Sequence, residues 1–497
     1  MAQWPRRAVV DIGSNSVRLV IFSGPPRVPI AITNEKALCG LGDREPGTGD
    51  LRADAMERSL STLRRFRELI DAEGPETLDV FATAAVRDAP NGAQFLSEIE
   101  SIGFEPRLIS GEEEARLAGL GIFSSAPEIV REGRPAIGGD LGGGSLELSQ
   151  LGGPNGDIAN LVSLPIGSLR MLSEFGEDRA AAETAVQSHF DRQAWLTSMT
   201  DPRLYVVGGS WRAIARVGMF QAEHDLPILD HFTMSADQAL EVCRFVEEID
   251  PEVLASINGV QKKRVPTLPM AAIALRTLIK HTQAREVVVS ACGVREGLLF
   301  DRLSQEQRDE DPLMALAADL ADRLGGGRRP KASTVSHFLA PIFDEGPKER
   351  RVRDAAAMLI RSGNMAHPDR RAVHAGANIM AAPFLGVDHV DRTLLAVMVV
   401  SRFASSLSKS KSVIPLRLLT DEQRTYGIRV GYAHRLAASL RTPLYRKDSG
   451  FQLKRTEDTL TLVVQKRVAD FVAEAGVRDF ERLAEELQLT PEIRRTS

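Results

Sequence analysis

Two loops, Asp11-Ile12-Gly13-Ser14-Asn15-Ser16 and Asp140-Leu141-Gly142-Gly143-Gly144-Ser145, carry the residue types that could bind and cleave a phosphate ester or anhydride. Each follows a short apolar run and keeps the order Asp, apolar, Gly, small, any, Ser. Small residues let the main chain approach an anion, so that successive backbone N–H groups converge on its oxygens. A leading carboxylate can hold a cation beside them. Gly-Gly-Gly-Ser taken alone also describes a flexible linker. The matched loop upstream and the acidic Glu147 just beyond favour a duplicated phosphate-binding unit instead.

Regular elements must present these loops. Ala8-Val9-Val10, Leu78–Ala82, Leu204–Val207 and Val287–Val289 read as strands, with segments of helical spacing between them. In Leu51–Ala72, Leu60, Leu63, Phe66 and Leu69–Ile70 recur at three- and four-residue steps, and Gly74-Pro75 ends the helix. Alternation of this kind predicts an α/β sheet architecture. After Leu303 the pattern changes: residues 304–311 are almost wholly polar, and Leu324–Pro330 reads as a loop or linker. Beyond it Ala355–Ile360, Thr393–Phe403 and Arg429–Leu440 read as helices, with one strand-like stretch at Thr459–Val464.

The 497 residues, 43% of them hydrophobic, suffice for three or four domains. No run of 18 apolar residues is present to cross a bilayer, and Met1–Arg7 lacks a signal-peptide pattern, so a cytoplasmic location is expected. Cys39, Cys243 and Cys292 are scattered singly, which excludes a disulfide framework or a Cys-x-x-Cys metal knuckle. The net charge of -5 divides into -13 over residues 1–310 and +8 over 311–497. A basic tail suits an anionic partner, or simply a solvated helix surface.

Five stretches in order resemble the exopolyphosphatase/guanosine pentaphosphate phosphatase family: Val10–Ser16, Ala82–Asn91, Ile109–Leu117, Asp140–Glu147 and Gly293–Gly297. The resemblance covers residues 8–300 and is looser in the tail. It implies duplicated actin/sugar-kinase/Hsp70-like, ribonuclease H-like α/β lobes at residues 1–124 and 125–303. A mostly helical, HD-like region at 304–497 follows them. It also implies a set of site residues. Glu114 is the catalytic carboxylate that orients or deprotonates water, although Glu112–Glu114 also suit the first turn of a helix capped by Ser110. Glu147 is a second catalytic carboxylate. Asp140 is a ligand of Mg²⁺, and Asp11 takes part from the first loop. Phosphate oxygens fall to Gly13, Ser14, Asn15, Ser16, Gly142, Gly143, Gly144 and Ser145, with Arg18, Arg87 and Arg295 as two-pronged clamps.

The expected activity is release of terminal orthophosphate from inorganic polyphosphate. Hydrolysis of pppGpp to ppGpp is the alternative, and a nucleotide-binding or sugar-kinase-like protein is a third reading. Such chemistry asks the protein for positioning and charge neutralisation. A homodimer is implied by the resemblance, and no nucleic-acid partner is expected. The tail has His367, His374 and an inverted Asp388-His389 where an HD hydrolase needs His-Asp, so it reads as a binding and oligomerisation module. Basic clusters at 328–331, 348–353, 370–371 and 409–411 are expected to guide a long anion to the cleft.

Overall fold

The computed structural model describes residues 4–152, 157–324, 332–410, 412–440 and 449–496. The chain forms two compact units, residues 4–310 and 311–496.

Within the first unit, the strands β1 (Arg7–Ile12), β2 (Ser16–Ser23), β3 (Ile30–Leu38), β4 (Thr77–Ala82) and β5 (Pro106–Leu108) form a sheet of order β3-β2-β1-β4-β5. A second sheet contains β6 (Ala136–Leu141), β7 (Leu146–Leu151), β8 (Ile158–Leu164), β9 (Arg203–Val207), β10 (Thr233–Ser235) and β11 (Glu286–Val289). Its order is β10-β11-β9-β6-β7-β8. In each sheet three strands form an antiparallel meander and two more add in parallel. The second sheet differs by the antiparallel β10 at its edge. The duplication glimpsed in the loops therefore extends to whole lobes of actin-like, ribonuclease H-like topology.

Both faces of the first sheet are covered, which is why β1 reads as a continuous apolar run. Val10 and Ile12 pack towards Leu60, Leu63 and Phe66 of the helix Ala53–Glu73. Gly74 then ends that helix in the left-handed conformation, at φ 58°. On the other face Val9 and Phe81 meet Leu117, Leu120, Leu298 and Leu299. Leu117 and Leu120 belong to the helix Gly111–Ser125, whose Ile122 and Phe123 pack with Tyr205 and Val207 of the second sheet. One helix thus lies against both sheets and crosses position 124 unbroken. Its neighbour, the helix Val294–Asp301, approaches so closely that a Cβ at Gly121 would stand 2.2 Å from the Gly293 carbonyl oxygen.

In the second unit the helices Pro347–Met358, His389–Ser401 and Asp421–Ser439 accompany a three-stranded sheet. That sheet comprises β12 (Phe451–Arg455), β13 (Thr459–Gln465) and β14 (Thr490–Thr496). The strand-like stretch is β13, and its Leu460, Leu462 and Val464 enter the core beside Leu436 and Phe480. One basic cluster is partly internal. In the basic cluster 348–353, Arg353 is fully buried on Glu345, Arg351 holds Asp311 through two hydrogen bonds, and the exposed Lys348 reaches Asp388 at 2.9 Å. Burial and pairing take Arg353 and Arg351 away from solvent, while Lys348 and Arg350 stay exposed beside their acidic partners. The clusters around 328–331 and Lys411, and the Gly325–Pro330 linker, lie outside the described residues.

Candidate active site

The two loops are built alike. The Gly13 N–H donates to the Ser16 carbonyl at 3.1 Å, and the Gly142 N–H donates to the Ser145 carbonyl at 2.9 Å. Each closes a hairpin in matching register, with Asp11 opposite Arg18 in the first and Asp140 opposite Glu147 in the second. The loops face each other closely: a Cβ placed on Gly144 would stand 3.1 Å from Ser14 Oγ. Side chains larger than serine would fill the space where an anion's oxygens reach the backbone.

They open on a cleft of about 510 Å³ lined by Asp11, Glu114, Asp140 and Glu147, by both loops, and by Arg18 and Arg295. Of the site residues expected from sequence, Arg87 alone stands back from the lining. It donates to the Ile109 carbonyl at 3.0 Å, and its Nη1 lies 3.6 Å from Glu114 Oε2.

Glu114 sits in the first turn of Gly111–Ser125, where Ser110 caps the helix by accepting the Glu113 N–H at 3.1 Å. Helix start and candidate base are thus the same residue run. Its Oε2 is buried and has no hydrogen-bond partner. Burial, followed by the charges of Glu147 and Asp140, holds its carboxyl well above the usual range. Glu147, 2% exposed, is raised to about 7, chiefly by burial, against hydrogen bonds from Ser145 and Ser163. The Ser163 hydroxyl donates to Glu147 Oε1 at 2.8 Å. Asp140 is raised to about 6, again by burial first, with Arg212 opposing. Burial likewise raises Asp11, opposed by Arg295 and Arg18.

Arg295 enters from the first turn of Val294–Asp301. Its Nη1 is buried without a hydrogen-bond partner, while its Nε lies 3.9 Å from Asp11 Oδ2. Arg18 donates from Nε to Asn34 Oδ1 at 2.8 Å, and burial and Arg295 lower its pKa to about 10. Five further cations line the cleft: Lys36, Arg212, Arg216, Lys263 and Arg264. The strand-to-helix turn Val207–Ser210 also lines the cleft. Arg212 follows it on the helix Gly209–Gln221. At Gly208, φ is 95° and a Cβ would meet the Leu141 carbonyl oxygen at 2.3 Å, so only glycine fits that crossing. Lys263 and Arg264 sit on a 3-10 turn, Lys262–Thr267, with no motif around them.

Among the described residues no three His, Cys, Asp or Glu side chains form a metal cage. Four carboxylates with raised pKa values, lining one cleft, nevertheless suit a hard divalent ion that brings most of its own oxygens, as waters and phosphate, and takes one or two protein carboxylates. Asp140 and Asp11 are the pair at the loops that could hold one.

Comparison with known proteins agrees with this arrangement. Residues 20–306 match the family described as Ppx/GppA phosphatase, and residues 333–491 match the one described as exopolyphosphatase, C-terminal. Exopolyphosphatase 1 of Mycobacterium tuberculosis is 27% identical over 319 residues, covering 61% of this chain and 89% of that protein. Its counterpart from Mycobacterium leprae is 25% identical over 321 residues, covering 61% and 90%. Among solved structures, an exopolyphosphatase from Cytophaga hutchinsonii shares the fold with a TM-score of 0.53 at 22% identity, over 60% of this chain and 99% of that one. The Aquifex aeolicus member of the Ppx/GppA family gives 0.50 at 24%, over 60% and 97%. The chain belongs to the Ppx/GppA phosphatase family and is a hydrolase.

Proposed function

We propose that the protein is a Mg²⁺-dependent exopolyphosphatase that releases orthophosphate from the end of inorganic polyphosphate. The observation that carries this reading is the meeting, in one cleft, of Glu114 and Glu147 with two glycine/serine loops and a surplus of cations. The terminal phosphoryl group lies between the loops, its oxygens on their N–H groups and on the buried, unpartnered Arg295 Nη1. Glu114 Oε2, buried and equally without a hydrogen-bond partner, takes the proton of the attacking water; its raised pKa makes it the stronger base. Glu147 orients that water, and Arg87 holds Glu114 in place. Mg²⁺, held by Asp140 with Asp11 nearby, supplies neutralisation of phosphate charge.

An inorganic chain fits the lining better than pppGpp does: Phe81 is its one aromatic side chain, against seven Lys and Arg. Guanine recognition draws on stacking faces, whereas phosphates draw on cations. The test is phosphate release from polyphosphate of defined length and from pppGpp, side by side, with and without Mg²⁺. Faster release from polyphosphate, dependent on the metal, supports the reading. Preference for pppGpp overturns the substrate, and metal-free turnover overturns the cofactor.

A further inference from the structure

The pairing registers of the two lobes expose a difference that the loop motifs do not. Across the second sheet, one row runs Asp140 on β6, Glu147 on β7 and Ser163 on β8. The equivalent row of the first sheet runs Asp11 on β1, Arg18 on β2 and Lys36 on β3. The aspartate is common to both. Where the second lobe then places a carboxylate and the hydroxyl that donates to it, the first places two cations.

Arg18 and Lys36 stand directly opposite each other on antiparallel strands, an arrangement that repels when like charges meet. Lys36 has no ion-pair partner among the described residues and lines the cleft. The charges that act on it come from Arg264 and Lys263 on the 3-10 turn, Arg18 beside it and Arg295 from the helix Val294–Asp301, all of them cations. Asp11 is the carboxylate that shares this field. A lysine in such surroundings adds to a positive field that draws an anion to the cleft.

We infer that Arg18, Lys36 and Lys263 form a subsite for the phosphates behind the one being cleaved, so that the cations of β2, β3 and the 3-10 turn Lys262–Thr267 grip the departing chain beside the carboxylates that perform the chemistry. The subsite takes a linear oligophosphate of three or more units; orthophosphate fills only the two loops. This rests on the cleft being a phosphate site, as proposed above, and it names Lys36 as a residue that sets specificity for chain substrates.

Calorimetric binding of linear tripolyphosphate and of orthophosphate, without Mg²⁺, separates the two claims. For Lys36→Gln the expected result is a Kd for tripolyphosphate raised about tenfold, the loss of one charge-assisted contact. Lys36→Arg should restore it, and the orthophosphate Kd should stay at the wild-type value. An unchanged tripolyphosphate Kd, an equal loss for orthophosphate, or no tripolyphosphate binding by the wild-type protein overturns the subsite. A wild-type protein that binds tripolyphosphate through Lys36 yet releases no phosphate when Mg²⁺ is added upholds the subsite and contradicts the hydrolytic reading.

Discussion

Replacing Glu147 by glutamine should stabilise the protein while disabling it. The Glu147 carboxyl, buried in the second lobe, titrates near 7 against an ordinary 4.5. At about 1.4 kcal/mol per pH unit of displacement, keeping it ionised at pH 8 costs the folded state about 3 kcal/mol. The folded pKa lies above the unfolded one, so the native protein holds the extra proton between the two values and loses stability as pH rises through that window. Glutamine keeps an oxygen to accept the Ser163 hydroxyl and removes the charge. Thermal melts of both proteins at pH 5 and pH 8 should therefore show a gain at pH 8 only, up to about 5 °C for a unit of this size. Phosphate release should fall by about a hundredfold or more. A variant whose melting point matches the wild type at both pH values, or which turns over normally, refutes the view that a buried charge is kept at position 147 for chemistry.

Three other perturbations probe the supports of the site. Ser163→Ala removes a hydrogen bond that holds the Glu147 pKa down, so the acid limb of the pH–rate profile should move to higher pH. Gly121→Ala places a Cβ against the Gly293 carbonyl oxygen and forces apart the helices bearing Glu114 and Arg295. It should cost about 1–3 kcal/mol by denaturant unfolding, with turnover lost alongside. In the second unit, Glu345→Ala strands the fully buried Arg353 and should destabilise that unit by about 3–5 kcal/mol, read from its own unfolding transition.

Much of this site was legible in the sequence because the chain writes it locally. Asp11–Ser16 and Asp140–Ser145 are contiguous turns, and Glu114 follows its own cap at Ser110. Buried strands such as β1 and β9 announce themselves as unbroken apolar runs. Lys36 was not visible, because a lysine on a half-exposed edge strand looks like any surface lysine until the register sets it opposite Arg18. Lys263 and Arg264 come to the cleft through tertiary folding of a short 3-10 turn and carry no periodic signal. In the tail, β14 escaped because Thr490–Thr496 is polar and mostly exposed; it is a strand only through its parallel pairing with β13. Within residues 348–353 composition likewise counts charges, and the fold decides that Arg353 meets Glu345.

The claim beneath all of this is that Glu114, aimed into a cleft shared by two loops, activates the water that breaks a phosphoanhydride. Phosphate release from long-chain polyphosphate by Glu114→Gln, with Mg²⁺ present and folding checked by thermal melt, tests it most directly. The account predicts turnover reduced by about 10²–10⁴ in a folded protein that still binds the polymer. Turnover within a fewfold of the wild type would contradict it.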